Sequence, residues 1–130
     1  MEKPRLLLVD DDIPFVTNLS RLLARRSYEV SMVYDGDSAL RIVEEKEFDV
    51  IILDQNMPGK DGLTVLKELK KKWPSLEVII LTGVATVDSA YTGLQLGAYD
   101  YVAKPLQLSD LEEKIGLAFQ KKLSINAGKG

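Results

Sequence analysis

Three consecutive aspartates, Asp10-Asp11-Asp12, follow directly on the apolar run Leu6-Leu7-Leu8-Val9. A further aspartate, Asp54, follows on Val50-Ile51-Ile52-Leu53. Thr82 follows on Val78-Ile79-Ile80-Leu81, and Lys104 on Tyr101-Val102-Ala103. If these runs are strands of one sheet, acid, hydroxyl and ammonium groups meet at one edge. Carboxylates a few ångströms apart raise one another's pKa unless a cation intervenes. Oxygen ligands without histidine or cysteine suit a hard cation, and a few carboxylates completed by water suit Mg2+, with Mn2+ the alternative. On this reading Asp11 and Asp54 bind through their side chains and Asp10 through water. The backbone carbonyl of Asn56 closes the shell, and Asp12 is a further candidate. Lys104 supplies a fixed cation on the other side. An ammonium and a metal flanking one carboxylate leave a place for a dianionic phosphoryl group.

Each residue alone has a blander reading. One aspartate of the triplet caps a helix, Asp54 and Thr82 are turn residues, Lys104 is a surface lysine before Pro105, and Tyr101 is a core aromatic. Four strand ends carrying complementary groups are harder to attribute to chance than any one of them.

Composition narrows the chemistry. The chain has 130 residues, no histidine and no cysteine. That removes Ser-His-Asp and Cys-His catalysis, thiolate and imidazole metal sites, and disulfides. With 17 basic against 20 acidic residues, no nucleic-acid surface is expected. The densest basic run, Lys70-Lys71-Lys72, suits a helix C-terminus. No apolar run approaches the ~20 residues of a membrane span, and Met1-Glu2-Lys3-Pro4 leads straight into a strand pattern. A cytoplasmic protein without membrane contact is expected.

The elements that must position the site alternate along the chain. Arg5–Val9 reads as a first strand. A helix from Ile13 to about Arg26 is lined by Phe15, Leu19, Leu22 and Leu23, with Asp12 as cap and Pro14 in its first turn. Tyr28–Val33 alternates as a second strand, and Ala39, Leu40 and Val43 mark the next helix. Val50–Leu53 reads as a strand buried on both faces. After the turn-rich Pro58–Gly62, Leu63, Leu66, Leu69 and Trp73 line a third helix. Glu77–Leu81 is a fourth strand, Val87 to about Leu96 a weakly apolar helix stopped by Gly97, and Tyr99–Ala103 a fifth strand. Leu108, Leu111, Ile115 and Phe119 line a last helix. Ser124–Gly130 reads as a flexible tail or linker after a single domain spanning 1–123. Apolar strands alternating with amphipathic helices predict an α/β fold: a three-layer αβα sandwich around a five-stranded parallel sheet. Right-handed crossovers favour strand order 2-1-3-4-5, the flavodoxin-like (βα)5 arrangement. In that order Asp54 stands centrally, beside the switch point between strands one and three, where ligands bind in such sheets.

These residues resemble the receiver domain of two-component response regulators. The resemblance is carried by Val9-Asp10-Asp11-Asp12, the stretch Leu53–Gly62, Leu81-Thr82-Gly83 and Tyr101-Val102-Ala103-Lys104-Pro105, and it covers Leu6 to about Phe119. It implies that Asp54 is the phosphoacceptor, taking its phosphoryl group from a sensor histidine kinase or a histidine phosphotransfer protein. It places the family's acidic pair on Asp10 and Asp11. It implies that Thr82 hydrogen-bonds the phosphoryl group, that Lys104 pairs with its charge, and that Tyr101 is an aromatic switch. It also implies a cis Lys104-Pro105 bond. The surface around the fourth helix, fifth strand and fifth helix would then control an output domain or partner. The domain is expected to be a monomer or a phosphorylation-dependent homodimer, acting as a phosphoacceptor with self-catalysed phosphorylation and dephosphorylation.

Three alternatives are weighed at this stage, one of them a flavodoxin-like cofactor binder, for which three aspartates after the first strand make a poor phosphate cradle. A haloacid-dehalogenase-type phosphatase would use Asp10 and Asp12, but wants a second acidic pair where Thr82-Gly83 stands. A receiver-like module could also dock partners without accepting phosphate.

Overall fold

A computed structural model describes residues 3–129. Five strands and five helices alternate: β1 (Arg5–Val9), α1 (Ile13–Arg25), β2 (Glu29–Val33), α2 (Gly36–Glu45), β3 (Val50–Leu53), α3 (Gly62–Lys72), β4 (Glu77–Thr82), α4 (Val87–Gln95), β5 (Asp100–Ala103) and α5 (Leu108–Lys129). All strand pairs are parallel, in the order β2-β1-β3-β4-β5. This is the predicted flavodoxin-like α/β sandwich.

Side chains alternate along each strand, so the sheet has two cores. Leu7, Val9, Ile51, Leu53, Val78 and Ile80 pack against α2 and α3 through Ala39, Val43, Val65, Leu66 and Leu69. Leu6, Leu8, Val50, Ile52, Ile79 and Leu81 pack on the opposite face against Val16 and Leu23 of α1 and Leu111 and Ile115 of α5. Central β3 and β4 are buried along their whole length, which explains their unbroken apolar runs. Helix α4 is the exception among the helices: it buries only Gly93, and Val87, Tyr91 and Leu94 face solvent.

The helix starts follow from short side chains. Asp12, Asp35, Asp61 and Thr86 each accept from the backbone N–H three residues on, satisfying donors that the helix leaves free. Gly97, at φ 104°, ends α4 as expected.

Strand boundaries shift by one residue at β2, β4 and β5, and the shift is larger at the C-terminus. Helix α5 continues through Ser124-Ile125-Asn126 to Lys129, and Gly130 lies outside the described residues. No proline interrupts this stretch. Lys122 ties the helix to the sheet, donating to the Phe48 carbonyl at 3.1 Å and to Asp49 at 2.6 Å.

Asp49 anchors the sheet edge opposite the aspartate cluster. Its carboxylate accepts from the Arg5 backbone N–H at 2.7 Å and from the Arg5 guanidinium at 3.1 Å. Burial pushes its pKa up, but the bonds from Arg5 and Lys122 outweigh burial and hold it at about 2. Because the folded value lies below the unfolded one, this stability is present at neutral pH and is lost as pH falls from about 4 to 2. Asp49→Asn is expected to cost about 2 kcal/mol at pH 7. Urea denaturation of both proteins across this range should show the gap closing in acid.

Candidate functional site

The sheet ladder itself delivers the site residues. Beyond the strand ends, the Asp10 N–H donates to the Val33 carbonyl at 3.2 Å, the Asp54 N–H to Val9 at 2.9 Å, and the Lys104 N–H to Thr82 at 2.8 Å. Each backbone is thereby held against a neighbouring strand at the C-terminal edge. The Lys104-Pro105 bond is cis, as expected.

Asp10, Asp11 and Asp54 converge, with one carboxylate oxygen from each lying within 4.8 Å of the others. Asp10 and Asp54 are buried and Asp11 is exposed, so the cluster opens to solvent on one side. Burial raises the Asp54 pKa, and the Asp10 charge raises it further. Lys104, the Thr82 hydroxyl and the Asn56 N–H oppose the rise without cancelling it. Three carboxylates facing one ammonium leave excess negative charge. An all-oxygen set with this deficit of positive charge fits a hard divalent cation.

Thr82 is fully buried at the end of β4. The Lys104 ammonium lies 2.8 Å from Asp10 Oδ2 and 4.0 Å from the centre of the Phe15 ring. It reaches across the cluster to Asp10 and does not bond Asp54 directly. The Phe15 platform was not legible in the sequence, where its spacing marks only a helix face. Asp12 is used otherwise. Its Oδ1 caps α1 by accepting from the Phe15 N–H at 3.1 Å, and it stands outside the converging trio. Asn56 is exposed on the loop after Asp54. Tyr101 is half-buried against the α2–α3 core, and its hydroxyl donates to Gln55 Oε1.

Comparison with known proteins fits this geometry. The response regulator receiver domain family matches residues 6–116. The chain belongs to that family. The receiver domain is 38% identical over 122 residues to the transcriptional regulatory protein ZraR of Escherichia coli K12, covering 94% of this chain but 28% of that protein. The match spans only 25% of the length of the first curated relatives. Among solved structures, a response regulator receiver domain from Clostridium thermocellum is 34% identical with a TM-score of 0.88, covering 93% of this chain and 98% of that one. A response regulator from Burkholderia pseudomallei, solved with a phosphorylated aspartic acid, calcium ion and citrate, is 26% identical with a TM-score of 0.83, covering 99% of this chain and 75% of that one. This receiver domain is therefore part of the response regulator machinery of two-component systems. Among its described residues no helix is long and apolar enough to cross a membrane.

Proposed function

We propose that this receiver domain accepts a phosphoryl group on Asp54 in a Mg2+-dependent reaction. The donor is a phosphohistidine on a sensor kinase or phosphotransfer protein. The observation that carries the reading is the placement of buried Asp54 among Asp10, Asp11, Thr82 and Lys104 at one sheet edge.

An Asp54 carboxylate oxygen attacks phosphorus, an aspartyl O–P bond forms, and the P–N bond to the donor imidazole breaks. The freed ring nitrogen takes a proton. Asp10, Asp11, Asp54 and the Asn56 carbonyl would hold Mg2+ or Mn2+, which when bound neutralises charge on the phosphoryl oxygens. Lys104 is the chain's own cation for those oxygens, and the Thr82 hydroxyl is a donor to them. Water later cleaves the acyl phosphate, so the signal is transient. Added charge draws Thr82 and Lys104 toward β3 and biases the α4-β5-α5 surface, with Tyr101 following Thr82. The sparse burial of α4 suits an element of low local stability. A cytoplasmic setting, residues 1–123 as the signalling unit, an effector domain or partner as output, and a monomer or a phosphorylation-dependent homodimer complete the proposal. The Burkholderia pseudomallei response regulator, solved with a phosphorylated aspartic acid, supports it. Use of Asp12 as a helix cap weighs against the phosphatase alternative, which needs Asp12 as acid.

Incubation with acetyl phosphate and Mg2+ is expected to give a single phosphoryl adduct by intact mass. The adduct should disappear with EDTA and in Asp54→Asn, and persist in Asp12→Asn. Loss of the adduct in Asp10→Asn with retention in Asp54→Asn would replace this reading with the phosphatase one.

A further inference from the structure

Gln55 directly follows Asp54, and three elements hold it. Its carbonyl accepts from the Gly62 N–H at the start of α3 at 2.8 Å. Its side-chain Oε1 accepts from the Tyr101 hydroxyl on β5. Its Nε2 donates to Ser89 Oγ on α4 at 2.9 Å. The polarity of the carboxamide matches both partners, since the oxygen faces a donor and the nitrogen faces an acceptor. Gly93 makes the arrangement compact: a Cβ there would lie 3.4 Å from the Tyr101 ring and 3.4 Å from Ile80. Helix α4 has little else to hold it, because Gly93 is its only buried residue.

We propose that Gln55 is a positioning residue that latches α4 and Tyr101 to the strand end carrying Asp54. The latch keeps Tyr101 packed over Gly93 and sets the resting position of α4. Any shift of the Asp54–Gln55 backbone then reaches α4 through one side chain, alongside movement of Thr82. Its regulatory meaning rests on the phosphoacceptor reading of Asp54, whereas its existence does not.

The test uses the full chain without phosphodonor, reading amide hydrogen exchange across Ala90–Gln95. Gln55→Met keeps the side-chain length and removes both bonds; it is expected to speed exchange about tenfold. Tyr101→Phe and Ser89→Ala each remove one bond and should give roughly threefold. Gln55→Glu can accept from both hydroxyls, and should restore exchange to within about twofold of the parent. The Gln55→Met/Tyr101→Phe double variant should match Gln55→Met alone, because the two changes remove the same bond. Unchanged exchange in Gln55→Met, equal loosening in Gln55→Glu, or multiplying effects in the double variant would overturn the latch. A parallel sample of parent protein with acetyl phosphate and Mg2+ reports the adduct separately. A missing adduct there would refute the phosphoacceptor reading and leave the donor-free result standing.

Discussion

Lys104→Met is expected to slow phosphoryl transfer to Asp54 by about two to three orders of magnitude while tightening Mg2+ binding several-fold. The two effects have opposite signs because the proposed mechanism gives one ammonium two roles. In the resting protein Lys104 lies 2.8 Å from Asp10 Oδ2 and offsets part of the charge of three carboxylates. Removing it leaves a more negative cluster, which attracts a divalent cation more strongly. On the proposed reading the same ammonium faces the incoming phosphoryl oxygens during transfer, and methionine would not replace it. The Phe15 ring beneath Lys104 contributes by holding the ammonium at the cluster, a cation–π contact of about 1 kcal/mol. Calorimetric Mg2+ titration and the rate of adduct formation from acetyl phosphate measure the two effects on the same preparations. Weaker Mg2+ binding together with slower transfer would indicate a disturbed cluster and contradict the assigned role.

Gly62→Ala is expected to be the most destabilising small substitution near the site, at roughly 3 kcal/mol or more. A Cβ at this position would lie 2.2 Å from the Asp54 carbonyl oxygen and 2.7 Å from the Gln55 Cα. Both are backbone atoms, so no rotamer change relieves the overlap. The segment cannot move freely, because the Gly62 N–H also bonds the Gln55 carbonyl and the Asp54 N–H bonds Val9. Relief must displace either the α3 start or the strand end bearing Asp54, so adduct formation should fall as well. Gly59→Ala is the control. Gly59 has φ 78° and nothing within 4 Å of its virtual Cβ, so alanine there meets only the left-handed backbone penalty of about 1 kcal/mol. Urea midpoints of the two variants separate steric from conformational cost. Equal costs at both positions would refute the steric argument.

Much of this arrangement was legible in the chain because it depends on local patterns. The run Val50–Leu53 is apolar at every position, and the strand it forms is buried at every position. Asp12 and Pro14 announce the start of α1, and the structure uses Asp12 as cap. Site residues at strand ends could be placed because parallel strands deliver their C-terminal ends to one edge. Long-range partners were not legible. Nothing about Phe15 distinguishes a helix-face residue from the platform for Lys104. Ser89 carries no signal within its helix, and its bond to Gln55 spans 34 positions. The length of α5 likewise rests on long-range contacts. Small polar residues after Leu123 suggest fraying, whereas Lys122 holds the preceding turn through Asp49 and Phe48, more than 70 positions away.

On the proposed reading, Asp54 is the residue the others serve. Treatment with acetyl phosphate and Mg2+, borohydride reduction of the acyl phosphate and peptide sequencing by mass spectrometry tests it at residue resolution. Homoserine is expected at position 54 alone, with Asp10, Asp11 and Asp12 unchanged. Homoserine at position 10 or 12, with Asp54 intact, would contradict it.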